Sequence, residues 1–540
     1  MTRLYIYNKV VLTVAFGIAI WLFWWLCYPH ALSYQEQYQL FLTDFDYLAC
    51  RLGVAGGLAD YVGEALTQFY YVPCLGAALL ALLYVAIQRL MWRLMEHGQG
   101  CYPLSFVPPV LLLWLMGDES VLASYAVALA GVMGAAAIAA RRQGQSFKRE
   151  ALTSLVAAPL LYWLLGPMAW LYVALSIVRM GWRRSLWLPL WLLGVIVLLH
   201  KSVMAQWPLS ELLLTRSYYR VPLQMPTLMA VIPAVVLMLA VGRWEKTGRR
   251  WMAPLGCAIV AALAWLGIGR GFDKEKYELI RQDYLVRQER WDELIERAQR
   301  HQVRTAFSSV SVNLALAMKR QLAERMFEFY QSGEDALIMP SIRDLTSDLP
   351  SAEAFFRLGL VNSAQRYMFD IQESILNGKR SGRCTQRLAE CMIVNGHYAA
   401  AAKQLQWLKR SLFYRQWAGE AEKLLGRDDL VDAHPQLGRL RKLRFKSDFL
   451  FSYPELEKVL GLLFTNNPDN KMALDYFMAQ LLLKGEVQQF MQYMPWVQQY
   501  GGYKYMPVGY QDAVRCIQTQ GREGGKYGQY VQRMLKSKQQ

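Results

Sequence analysis

Three carboxylates lie within "SYQEQYQLFLTDFDYL", Ser33 to Leu48: Glu36, Asp44 and Asp46. They follow closely on an apolar run that ends near Tyr28. A carboxylate at such a place can act as general base on an acceptor hydroxyl. It can also hold a divalent metal that neutralises a departing phosphate. A second acidic pair, Asp118 and Glu119 in "GDES", interrupts a later apolar stretch and could support the first. Arg216 and Arg220, in "TRSYYR", are candidates to grip a lipid phosphate, because guanidinium forks match phosphate oxygens. Glu36 and Asp46 are the first choices for base and support, with Asp44 able to join either. The eight cysteines form no CxxC and no Cys/His pair with metal spacing, so neither a zinc site nor a disulfide framework is expected.

The elements that would position these residues are helical. Hydrophobic residues make up 54% of the 540, which is too apolar for an ordinary soluble protein and points to membrane spans. The first 272 residues read as about nine spans, near 10–28, 70–88, 103–116, 121–140, 151–165, 167–181, 186–204, 226–242 and 252–269. The pair around Gly166-Pro167 reads as two short spans or one kinked helix with a re-entrant piece. With the amino terminus inside, the inner loops collect most of the Lys and Arg, the outer loops most of the acids. An odd number of spans then places everything after Phe272 outside. The first outer loop, 29–69, is expected to be structured. Wound as one helix, residues 33–48 set Tyr34, Tyr38, Phe41, Phe45 and Leu48 on one side and Glu36, Gln39, Thr43 and Asp46 on another. That is an interfacial helix with aromatics down and carboxylates up. Residues 56–71 form a second helix leading into the next span.

Residues 273–540 change character to charged, amphipathic helices, giving an all-α chain of two parts. "GLVNSA" from Gly359 and "GHYAAA" from Gly396 share glycine, then an apolar residue two on, then alanine five on; "GEVQQF" from Gly485 is a looser copy. The pattern resembles the tetratricopeptide repeat, in which glycine turns one helix onto the next and alanine lets the pair approach closely. Such an array binds peptides or proteins, so an envelope protein is the expected partner. The net charge of +17 raises nucleic acid as a partner, but an outward-facing domain would not meet it, and none is expected. The basic run "RLRKLRFK", Arg439 to Lys446, reads as a solvated face near anionic lipid headgroups.

A long structured first outer loop carrying an essential acid, followed by an acidic pair in the second, resembles the C-type membrane glycosyltransferases over about the first 130 residues. That resemblance implies a lipid-phosphate-linked sugar donor, with magnesium or manganese as cofactor where such a transferase uses a metal. It gives Glu36, Asp44 and Asp46 catalytic roles, supported by Asp118 and Glu119. The alternative is a non-catalytic membrane-anchored scaffold that recruits envelope proteins through its repeats. The stretches "YQEQYQLFL", "GGLADYVGEALTQF", "NLALAMKRQLAERMF", "GLVNSAQRYMF" and "KRSLFYRQWA" also resemble an uncharacterised polytopic family of Bacteroidota-type bacteria. This implies the inner membrane of a two-membrane cell, with the carboxyl-terminal half in the periplasm.

Overall fold

The computed structural model describes residues 2–95, 99–141, 147–218, 230–244, 251–375, 379–445, 451–520 and 523–537. Among these the regular structure is all helical, with no β-strand. The chain divides into two compact units. One comprises Met1–Lys274 with Arg410–Phe413; the other comprises Glu275–Lys409 with Tyr414–Gln540.

In the first unit, six segments of the described residues are long and apolar enough to cross a membrane: Lys9–Cys27, Pro73–Leu94, Ala123–Ala140, Phe147–Met180, Trp182–Ser202 and Met252–Gly271. The expectation of about nine spans is corrected to that extent. Crossing a hydrocarbon core of about 30 Å takes about 20 helical residues. The apolar helices Cys101–Leu115 and Val231–Gly242 fall short of that length. The segment Phe147–Met180 is two helices, Phe147–Leu165 and Ala169–Met180, joined by a 3-10 turn at Gly166–Met168. Gly166 adopts φ +68° there. A straight helix would hold Glu150 and Arg179 about 44 Å apart at about 1.5 Å per residue. Instead Arg179 pairs with Glu150 at 2.6 Å, so the two helices run antiparallel as a hairpin.

Packing defines two ends of this unit. At one, the Lys9 ammonium lies over the Trp92 ring, and Tyr102 donates to the Lys9 carbonyl. Gly242 lies so close to Met95 at this end that a Cβ there would sit 2.6 Å from the Met95 carbonyl. At the other, Phe272 packs on Phe23, Trp24 and Tyr28. Gly117 sits so close to Gly271 that a Cβ would meet its carbonyl at 2.5 Å. The first long helix therefore starts at one end, and Met252–Gly271 finishes at the other.

Residues 29–69 are helical but not as expected. The single helix over 33–48 is replaced by two, Pro29–Glu36 and Phe45–Leu52, separated by non-helical chain. The break has a local cause. Asp44 is extended, and its carboxylate accepts from the Tyr47 N–H at 2.9 Å, capping the second helix as side chains of this length do. Nor is Glu36 raised toward water: it is 3% exposed, and residues 35–42 are all buried. Helix Gly57–Thr67 and a 3-10 turn, Gln68–Tyr71, then lead into the helix beginning at Pro73.

The second unit is built from helix pairs. Gly359, Gly396 and Gly485 all have positive φ between two helices. The residue five positions on, Ala364, Ala401 or Phe490, is fully buried. Each turn carries two backbone bonds, for example Leu360 N to Phe355 O at 2.9 Å and Gly359 N to Phe356 O at 3.2 Å. The same two-bond closure recurs at Glu289 and Arg320, which are also left-handed. This is the Schellman arrangement, which satisfies carbonyls at a helix end. The basic run is two-faced: Arg439 and Lys442 are exposed, Leu440 and Leu443 are buried, and Arg441 donates to the Ile393 and Val394 carbonyls and pairs with Asp428 at 2.8 Å. Lys446 lies outside the described residues.

Candidate functional site

The acids expected to do chemistry fall into two groups, both within the first unit. The first gathers at the end where Phe272 packs on Tyr28. Helix Pro29–Glu36 starts with proline at its first position, where the missing N–H is no loss. Its buried Gln35 donates to the carbonyls of Glu119, at 3.3 Å, and Val121, at 3.0 Å. Those bonds fix the helix end that carries Glu36 against the "GDES" turn. Glu36 and Glu119 are 3% and 6% exposed, so each carboxylate is kept from water. Asp118 and Ser120 shape the turn, since the Ser120 N–H donates to Asp118 Oδ1 at 3.1 Å and its hydroxyl donates to Glu119 Oε1 at 3.3 Å.

Asp44 belongs to a second group. Besides capping its helix it accepts from Arg410 Nε at 2.8 Å and Nη2 at 2.6 Å. The Arg410 guanidinium holds the Asp44 carboxyl below its ordinary range. Asp46 is exposed, and its charge contributes to raising Arg410 above its usual value. The segment is further tied by Thr43, whose N–H and hydroxyl both donate to the Arg410 carbonyl. Arg216 sits in the short helix Thr215–Tyr218, but its side chain and all of Arg220 lie outside the described residues.

One cluster was not singled out by the sequence reading. Glu64 is 1% exposed and accepts from Tyr47 at 2.5 Å and from Arg51 Nε at 3.1 Å, while Arg51 Nη2 reaches its other oxygen at 3.0 Å. Burial, and then Glu64, raise the Tyr47 phenol well above its usual value. The signal was present in part: Tyr47 and Arg51 are four apart on one helix, hence neighbours on its surface. Arg410, more than 360 positions from Asp44, left no local signal.

Among the described residues, no three His, Cys, Asp or Glu side chains are placed to share a metal ion. Magnesium needs only one or two carboxylates beside substrate phosphates, and no step here is routed through a metal. What the geometry offers is a buried carboxylate at the end of one helix and a second on a tight turn that the same helix reaches through Gln35.

An all-helical protein with several membrane-length apolar helices and a unit of paired helices is the class these features define. The chain belongs to a family of unknown function, DUF6057, which matches residues 4–538. Comparison with curated proteins and with solved structures gave no match.

Proposed function

We propose that this protein is a bacterial inner-membrane transferase that moves a sugar from a lipid-phosphate carrier to an envelope glycan or lipid, with Glu36 as general base and Glu119 in support. The observation that carries this reading is the Gln35 bridge, which ties together the two loops that each carry a buried acid. Ionisable groups kept from water near a membrane are expensive and are retained for function. In the proposed step Glu36 accepts the acceptor hydroxyl proton as that oxygen bonds to the anomeric carbon. The bond from that carbon to the carrier phosphate breaks, and its electron pair leaves with the phosphate. Arg216 and Arg220 are the proposed contacts for that phosphate, and the surrounding lipids are the first partners. Asp44 and Asp118 are given structural roles as helix cap and turn former.

The test is substitution in the native host, read by mass spectrometry of envelope glycans and lipids. Glu36→Gln should lower the modified product by about 100-fold or more, the usual scale for removing a general base. Glu119→Gln should lower it less, and Asp46→Asn should leave it unchanged. A Glu36→Gln protein present at normal level, with normal product, would overturn the assignment.

A second reading is supported by the helix pairs: a membrane-anchored scaffold whose tetratricopeptide-like array recruits an envelope protein. The recurrence of one turn geometry at five positions supports it. Under this reading all three acid substitutions are silent, and substitutions along the exposed helix-pair face abolish the phenotype.

A further inference from the structure

A groove of about 400 Å³ lies within the second unit, between the last described helix, Gly525–Ser537, and residues 327–330. Its lining mixes charged and amide side chains with Phe327 and Phe329, whereas most small-molecule pockets are mainly apolar. The spacing of Lys526, Gln529, Arg533 and Lys536 is three, four and three, which sets them as one stripe along the helix. Gln302 and Tyr330 line the groove with them.

The charges do not balance. The one carboxylate among the lining residues, Glu328, is already held by Lys526 at 3.0 Å and by Arg325 at 3.0 Å. Arg533 and Lys536 make no ion pair or hydrogen bond among the described residues, and both are exposed. Among the described residues the groove thus presents two cations without a paired acid. Beside them the amides of Gln529 and Gln532 offer both donors and acceptors, and Tyr330 offers a ring edge and a hydroxyl. A bare anion would leave the amide acceptors unused, and a neutral sugar would leave the two positive charges unmatched.

We propose that this groove binds an acidic sugar, with Arg533 and Lys536 on its phosphate or carboxylate and the glutamine amides on its hydroxyls. The volume suits one or two sugar rings. The proposal stands independently of any reaction at Glu36.

The test is calorimetric titration of the full chain in an uncharged detergent with glucose 6-phosphate, glucuronate, glucose and inorganic phosphate. At least one acidic sugar should bind, and which of the two does so identifies the acid group. Glucose and inorganic phosphate should bind about tenfold more weakly or not at all. Arg533→Gln combined with Lys536→Gln should weaken binding of the acidic sugar about tenfold, the loss expected when charge-assisted bonds are removed. These side chains are on an exposed face, so the protein should stay folded, which thermal unfolding checks. Lys423→Gln, on another helix face, should change nothing. No binding of either acidic sugar would overturn the proposal. So would equal binding by the double variant, or phosphate or glucose binding as tightly as the acidic sugar.

Discussion

Glu289 and Arg320 hold left-handed backbone, φ +54° and +58°, where side chains are ordinarily disfavoured. Both send their charge to a buried partner. Glu289 pairs with Arg357 at 2.9 Å, and Arg320 pairs with Asp475 at 2.5 Å while donating to the Gly501 carbonyl at 2.6 Å. Charge-assisted bonds of this kind are the stronger ones and offset about 1 kcal/mol of backbone strain. Asp475 itself is fully buried. Burial raises its carboxyl to about 6, against the pull of Arg320 and Tyr503. An acid with its folded value above its unfolded one binds more protons folded than unfolded between about pH 4 and 6. Its contribution to stability therefore grows as pH falls through that window and is lost as pH rises through 6. The Asp475→Asn variant cannot titrate, so its deficit relative to the native protein should widen from pH 7 to pH 4.5 in denaturant melts. A deficit that narrows on acidification would mean that the Arg320 pair, not burial, governs this carboxyl. Glu353 is the contrasting case. Burial pushes it up, yet Arg387, Arg357 and Arg383 pull it well below the usual range.

At the scale of elements, the same turn serves different surroundings. A Cβ at Gly396 would meet nothing within 4 Å, so Gly396→Ala should cost only its backbone term, about 1 kcal/mol. A Cβ at Gly359 would sit 2.8 Å from the Leu443 Cβ and 3.1 Å from its carbonyl carbon, where backbone must move. Gly359→Ala should therefore cost about 2–3 kcal/mol, the backbone term plus overpacking. Urea unfolding of both variants checks the order, and equal losses would show that the helix Leu437–Leu443 yields freely. These turns also mark what the sequence made legible. Gly359, Gly396 and Gly485 were visible because glycine is the usual residue for φ above zero. Glu289 and Arg320 were not, because their strain is balanced by partners far along the chain. The first-loop helix failed for a related reason. Periodicity over 33–48 was helical throughout, but Asp44 prefers to cap a helix rather than continue one, and no count of apolar residues registers that. Of the candidate acids, the sequence located the loops. The Gln35 bridge that distinguishes Glu36 and Glu119 from Asp44 depends on packing.

For the whole chain, proposed sidedness depends on parity rather than on the number of long helices. The hairpin Phe147–Leu165 with Ala169–Met180 brings Glu150 and Arg179 together, so it returns to the face it left and adds nothing to parity. The other five long apolar segments are each long enough for one pass, an odd number. The shorter helices Cys101–Leu115 and Val231–Gly242 are an even number. The first of them carries the chain from Tyr102, beside Lys9, to Gly117, beside Gly271. If both cross, parity is unchanged. The chain then leaves the first unit at the end opposite its start, as the contacts of Lys9 and Phe272 require. In the proposed orientation the side that collects Lys and Arg, where the chain starts, is the cytosolic one. Green fluorescent protein fused after Gln540 should therefore stay dark, while alkaline phosphatase at the same point should be active. A second phosphatase fusion after Arg179 should be inactive, because the hairpin opens to the cytosolic side. A bright carboxyl-terminal fusion would put the second unit in the cytosol. The acidic-sugar groove would then face cytosolic sugar phosphates, and the carboxylates Glu36 and Glu119, at the end where Phe272 packs, would face the cytosol as well.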